Sequence, residues 1–231
     1  MEDFANPNAA YESRESEEIS ALLTQEQEQA RGPYYAKQLA RIHRRRKPPG
    51  NWLELGCGTG GLSHAASIAG WDVQAVEPGP ALCKHAGELL GQDRVQCCKF
   101  EQAQLAPQSF DVIVALDILE HLTTPDSLFE QAGRWLRPGG LFVLQTPNTR
   151  SLRRYLHRAR WNLLCPDTHF ILFAAGGLNL LAGRHGFETL DLFSVSGRGS
   201  SSPLRRVAET GYGSLLGLFG LGNAHFLTAR K

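Results

Sequence analysis

Residues 51–61 read Asn-Trp-Leu-Glu-Leu-Gly-Cys-Gly-Thr-Gly-Gly, and no other stretch limits the fold so tightly. An apolar run ends at Leu55, glycines follow at 56, 58 and 60, and helical spacing begins at Leu62. A strand that turns this sharply into a helix needs backbone without Cβ atoms, first for the turn and then for a ligand to reach the bare chain. The N–H groups that open the helix have no partner within it, so they face that ligand. Downstream, apolar runs at 71–76, 94–100, 110–115 and 141–145 alternate with helix-patterned segments at 80–90 and 125–136. Such alternation predicts an α/β fold built on a parallel sheet.

The glycines leave the ligand open, because Gly56, Gly58 and Gly61 also satisfy the G-x-G-x-x-G pattern of dinucleotide sites. Glu54 discriminates. A carboxylate two residues before the first glycine would repel a pyrophosphate and suit a ligand bearing an ammonium and a sulfonium. Further pieces follow in order: F-D-V-I-V at 110–114, D-I-L-E-H-L at 117–122, L-R-P-G-G at 136–140 and T-P-N at 146–148. With E-x-G-x-G-x-G at 54–60, they resemble the class I S-adenosylmethionine-dependent methyltransferases, and among these the ubiquinone-biosynthesis O-methyltransferase type, over residues 30–195. The resemblance implies a Rossmann-like sheet of seven strands, mostly parallel with an antiparallel last strand, and helices on both faces. Segments 187–193 and 225–229 suit strands six and seven.

Glu77 ends the second strand, 21 residues past Gly56. An acid there can accept both hydroxyls of a ribose, the bland alternative being a solvated strand end. The resemblance implies that S-adenosylmethionine is held by Glu54, Gly56, Cys57 (through its backbone), Gly58, Gly60, Glu77, Pro78, Phe100, Glu101, Leu116 and Asp117. Methyl transfer from a sulfonium is an in-line displacement with a good leaving group, so alignment is the main requirement. A hydroxyl or phenol acceptor also benefits from a base. His121 and His169 are the candidates, and the resembled family has a histidine in the latter's segment at the active-site mouth. His43, His64, His85, His157, His185 and His225 read as surface or packing residues.

Helical spacing would set Asp117, Glu120 and His121 on one face. Carboxylates and an imidazole could hold Mg²⁺ or Zn²⁺ there, and related families with acid-x-x-Glu-His use a divalent ion. Asp117 is a methylene shorter than their usual Glu. A metal-free His121 base is therefore the expectation, and a divalent ion the alternative.

A chain of 231 residues suits one core with additions: a helical cap at 1–49 and a core at 50–231, with 149–186 and 196–223 on the substrate side. In the cap, a helix from Ser16 is expected to break at Gly32-Pro33, before a second helix that ends in the basic run 41–47. Cations there complement the helix dipole. Contact with nucleic acid is the alternative, but a net charge of +1 gives no general attraction to polyanions. The same charge, without an RNA-binding extension, speaks against an RNA 2′-O-methyltransferase. Intact glycines and two histidines speak against a non-catalytic scaffold.

Five cysteines, odd in number, without a C-x-x-C pair or a signal peptide, predict reduced thiols in a cytoplasmic protein. No apolar run reaches the roughly 18 residues that span a bilayer. Arg150, Arg153, Arg154, Arg158 and Arg160 crowd among Leu152, Tyr155, Leu156 and Trp161, and no acid occurs from Gln131 to Pro166. A solvated amphipathic helix accounts for this. So does an anionic or lipid-linked acceptor, or peripheral contact with a membrane surface. The expectation is a monomeric or homodimeric biosynthetic enzyme that O-methylates a small molecule.

Overall fold

The computed structural model describes residues 25–195, 217 and 219–231. The expected helix start at Ser16 and most of the 196–223 addition lie outside these residues. The chain runs α1 (Gln25–His43), β1 (Asn51–Leu55), α2 (Gly61–Ile68), β2 (Asp72–Val76), α3 (Pro80–Leu90), β3 (Val95–Gln96) and β4 (Phe110–Leu116). It continues with α4 (Pro125–Trp135), β5 (Leu136–Pro147), α5 (Leu152–His157), α6 (Ala175–Arg184), β6 (Glu188–Val195) and β7 (Ala224–Arg230). The strands form one sheet in the order β3-β2-β1-β4-β5-β7-β6. β7 runs antiparallel to both neighbours, and the other pairings are parallel.

Successive side chains of a strand point to opposite faces, and here they fill two cores. Leu53, Leu55 and Ile113 meet Leu128, Phe129, Trp135 and Phe142 on the face that α4 and α6 cover. Trp52, Val112 and Val114 meet Leu39, Ile42 and Leu62 on the face that α1 and α2 cover. Burial on both faces is why β1 and β4 read as nearly continuous apolar runs.

At the amino ends of these strands, Asp111 is a buried tie. Its Oδ1 accepts from Arg46 at 2.6 Å, and its Oδ2 accepts from Arg137 at 2.7 Å and from the Asn51 amide at 2.8 Å.

Four expectations need correction. First, α1 is not broken at Gly32-Pro33 but passes through it. The residue before a proline is normally driven from helix by a clash involving its Cβ. Gly32 has none, and the burial of Leu39 and Ile42 holds the helix in place. Second, the third strand is only Val95–Gln96, because the Cys98 amide turns back to the Gln96 carbonyl at 3.1 Å. Third, Cys83 and Cys97 are not free thiols. They form a disulfide with a Cα–Cα distance of 5.6 Å, joining α3 to the segment after β3, while Cys57, Cys98 and Cys165 are free. Fourth, the Arg137–Gly140 turn belongs to β5 as an irregular first stretch of that strand.

Candidate active site

The carboxyl ends of β1, β2 and β4 open on a cavity of about 300 Å³, the place where open α/β sheets bind ligands. Its floor is the glycine turn. Gly56 and Gly58 have φ of +61° and +56°, conformations that side-chain-bearing residues rarely adopt. The amides of Gly56 and Cys57 both reach the Val76 carbonyl, at 2.7 and 3.2 Å, which folds the turn over the end of β2. Glu77 lies just beyond, buried, with Oε2 accepting the Gly58 amide and Oε1 the Gly79 amide, each at 2.8 Å. A carboxylate held at both oxygens by backbone has a fixed orientation. Pro78, Lys99, Phe100 and Glu101 continue the wall on this side.

Opposite stand Leu116, Asp117, Ile118 and His121, and then Thr168 and Phe170 from the segment before α6. Asp117 has φ of +57°. Its amide donates to the Gln145 carbonyl at 2.9 Å, and its carboxylate accepts from Gln145 Nε2 at 3.2 and 3.3 Å. The chain after it forms a short 3₁₀ turn, Leu119–His121, so Asp117, Glu120 and His121 do not share a helical face as expected. Glu120 is 1% exposed and accepts from the Thr146 hydroxyl at 2.9 Å. His121 and His169 meet edge to face with ring centroids 4.8 Å apart.

Each of these rings has Nδ1 on a backbone carbonyl, His121 on Thr168 at 2.8 Å and His169 on Leu163 at 2.7 Å. A carbonyl can only accept, so Nδ1 carries the proton and Nε2 of each neutral ring carries the lone pair. Ligand atoms of Glu120, His121 and His169 all lie within 4.8 Å of one another.

Of the residues expected from sequence, Gly56, Gly58, Glu77, Pro78, Phe100, Glu101, Leu116, Asp117 and His121 line the cavity. Glu54, Cys57, Gly60 and His169 are not among its lining residues. Glu54 is buried against the Ser63 hydroxyl at 2.5 Å. Burial pushes its carboxyl up to about 8, against the Ser63 hydrogen bond, and the Glu77 charge adds to the rise. Around neutral pH its negative charge is therefore largely latent. Cys57 packs with Cys83 and Ala86, and burial raises its thiol well above the usual range, which leaves it a poor nucleophile. Lys99, Asp167, Thr168 and Gln145 were not foreseen. The legible sign for Gln145 is an amide ending an otherwise apolar parallel strand.

A model of the methyltransferase domain matches residues 26–192. The chain belongs to the class I S-adenosylmethionine-dependent methyltransferases. Among relatives, the ubiquinone biosynthesis O-methyltransferase of Idiomarina loihiensis is 35% identical over 109 residues, 45% of this chain and 44% of that protein. The Pseudomonas aeruginosa protein of the same name is 33% identical over 45% of this chain and 47% of its own length. The matched stretch thus spans less than half of these relatives. In fold, the chain is similar to an S-adenosylmethionine-dependent methyltransferase of Thermotoga maritima, with a TM-score of 0.66, 17% identity and coverage of 94% and 97% of the two chains. It also matches phosphoethanolamine N-methyltransferase 2 of Haemonchus contortus, solved with S-adenosylmethionine, at a TM-score of 0.64, 20% identity and coverage of 91% and 58%. Among the described residues, no helix is long and apolar enough to cross a membrane.

Proposed function

We infer that the protein transfers the methyl group of S-adenosylmethionine to an oxygen of a small acceptor, with His121 as the base. The observation that carries this reading is His121 itself, in the cavity wall beside Asp117, with its Nδ1 proton fixed on the Thr168 carbonyl. In this reading Glu77 receives the ribose hydroxyls, Phe100 and Glu101 flank the adenine, and the methionyl end lies toward Gly56, Leu116 and Asp117. Glu54, Cys57 and Gly60 contribute from beneath by shaping the turn. The acceptor enters over His121, whose Nε2 lone pair takes the hydroxyl proton as the methyl group moves. His169, held on Leu163, backs the His121 ring and keeps it in place. The partial likeness to ubiquinone biosynthesis O-methyltransferases supports oxygen as the acceptor atom.

A divalent ion is a second reading, favoured by the convergence of Glu120, His121 and His169. The donor set fits a first-row metal, and each donor is oriented by a hydrogen bond, as metal ligands usually are. These three residues would hold the ion, which would lower the pKa of an acceptor hydroxyl.

The exposed Arg153 and Arg154 on α5 suit an acceptor with an anionic or lipid-linked tail, at a membrane surface or in solution. The test is methyl transfer from labelled S-adenosylmethionine to paired acceptors, phenols and alcohols against the matching amines. Label in methyl ethers supports the reading, and label confined to amines rejects it.

A further inference from the structure

The strand-end amide of Gln145 belongs to a chain of hydrogen bonds that begins on α1 and ends in the cavity. Arg41 Nη1 donates to Gln38 Oε1 at 2.7 Å, and Gln38 Nε2 donates to Gln145 Oε1 at 3.2 Å. Gln145 Nε2 then donates to both carboxylate oxygens of Asp117 at 3.2 and 3.3 Å, and to the Tyr34 hydroxyl at 3.1 Å. Gln38 and Gln145 are 1% and 3% exposed. An amide pair in mid-protein could normally be turned either way, but this one could not. A guanidinium has only donors and a carboxylate only acceptors. With a cation at one end and an anion at the other, both amides must point in the same sense, and each bond polarises the next in a dry interior.

The relay is anchored at both ends. The Arg41 guanidinium lies over Phe226 at 5.0 Å and Phe193 at 5.7 Å, a cation–π seat that keeps it from swinging into solvent. At the other end, Gln145 holds Asp117 twice, by the carbonyl that takes its amide and by the side chain that takes its carboxylate. Asp117 needs that grip, because its φ of +57° is a conformation an aspartate keeps only when its surroundings impose it. Register explains why one residue can do both jobs, since Gln145 pairs with Leu116 across β5 and β4 and so sits level with the exit of β4.

We propose that Gln145 and Gln38 are positioning residues, which aim the Asp117 carboxylate at the ammonium of the cofactor's methionyl end. The proposal rests on the cofactor orientation given above. α1 thereby sets the geometry of a site to which Gln38 and Arg41 contribute no cavity wall.

S-Adenosylhomocysteine carries that ammonium, whereas 5′-methylthioadenosine keeps the adenosine and thioether and lacks the amino acid. Calorimetry with both ligands on the parent, Gln145→Leu and Gln38→Leu, beside melting curves, is the test. Gln145→Leu should weaken S-adenosylhomocysteine about tenfold and Gln38→Leu about threefold, the size expected for hydrogen bonds to a charged group. Affinity for 5′-methylthioadenosine should be unchanged in both. Equal loss for the two ligands would mean a generally distorted cavity and overturns the proposal, as does undiminished S-adenosylhomocysteine affinity. A parent that fails to bind S-adenosylhomocysteine removes the cofactor reading itself. Should Gln145→Leu not fold, Gln38→Leu, one bond further from the cavity, decides.

Discussion

The Glu77 carboxylate accepts the Gly58 amide at 2.8 Å, so the residue that follows β2 fixes the turn that follows β1. Glu77→Ala strips the turn of this acceptor and the cofactor of its ribose partner. S-Adenosylmethionine affinity should fall by more than about 100-fold, the equivalent of two charge-assisted hydrogen bonds. Gly58→Ala has open space for the new Cβ but forces an alanine to φ +56°, so it should weaken binding while the chain still folds. Gly56→Ala meets the Ile118 side chain at 2.8 Å, and Gly60→Ala meets Ala86 of α3, backbone included, at 3.1–3.2 Å. These two should lower the melting temperature as well. Calorimetry and melting curves separate the two outcomes.

Glu54 should make stability depend on pH. Its folded value, about 8, lies above its ordinary 4.5, so the folded chain binds this proton more tightly than the unfolded one. The contribution is complete below pH 4.5 and is lost as pH rises toward 8, on the order of 5 kcal/mol in all. Glu54→Gln is neutral throughout and keeps a hydrogen bond to Ser63. Relative to the parent, its melting temperature should therefore climb between pH 5 and pH 8.5. A constant difference over that range would mean Glu54 titrates normally.

Base catalysis predicts that His121→Ala lowers kcat by about 10²–10⁴-fold with little change in cofactor affinity. Activity that survives exhaustive chelation but not this substitution selects the base. Loss on chelation, restored by a divalent ion, selects the metal. Full activity of the variant defeats both.

For the acceptor side, Arg153→Gln with Arg154→Gln should raise the KM of an anionic or amphiphilic acceptor several-fold, consistent with exposed charges worth roughly 1 kcal/mol each. Cofactor affinity should not move. Equal turnover of a charged and an uncharged acceptor by parent and variant would withdraw any role for this cluster.

The bond between Cys83 and Cys97 closes a loop of sequence separation 14, for which chain entropy gives about 3 kcal/mol. A thiol reductant should therefore lower the melting temperature of the parent and leave that of a Cys83→Ser, Cys97→Ser double variant unchanged. The same melting temperature with and without reductant in the parent would show that the bond does not form in solution.

The glycine turn, the acid after β2 and the alternation of strands with helices were legible in the sequence because each rests on local rules: a tight turn, a strand end, an apolar run bounded by helical spacing. What stayed hidden depends on partners far along the chain. Glu54 reads as an anion until its burial, which outweighs the hydrogen bond from Ser63, is seen to hold its proton. Asp117 reads as one turn of helix with Glu120 and His121 until Gln145, 28 positions away, is found to hold it. Pro33 reads as a helix breaker until Leu39 and Ile42, further along the same helix, are found buried against the sheet. Two cysteines 14 apart declare no pairing before α3 folds back on β3.

β6 lies at the edge of the described sheet and is hydrogen-bonded there to β7 alone. Its amides can resist exchange with solvent only while β7 stays seated, so the two strands should open and close as one cooperative unit. Arg41 rests on a ring from each, Phe193 and Phe226, and Arg45 is paired with Asp191 of β6. Each opening of this unit would therefore loosen the grip of α1 and, through Gln38 and Gln145, be felt at Asp117. Breathing at one margin of the sheet becomes a fluctuation in the pocket at its centre.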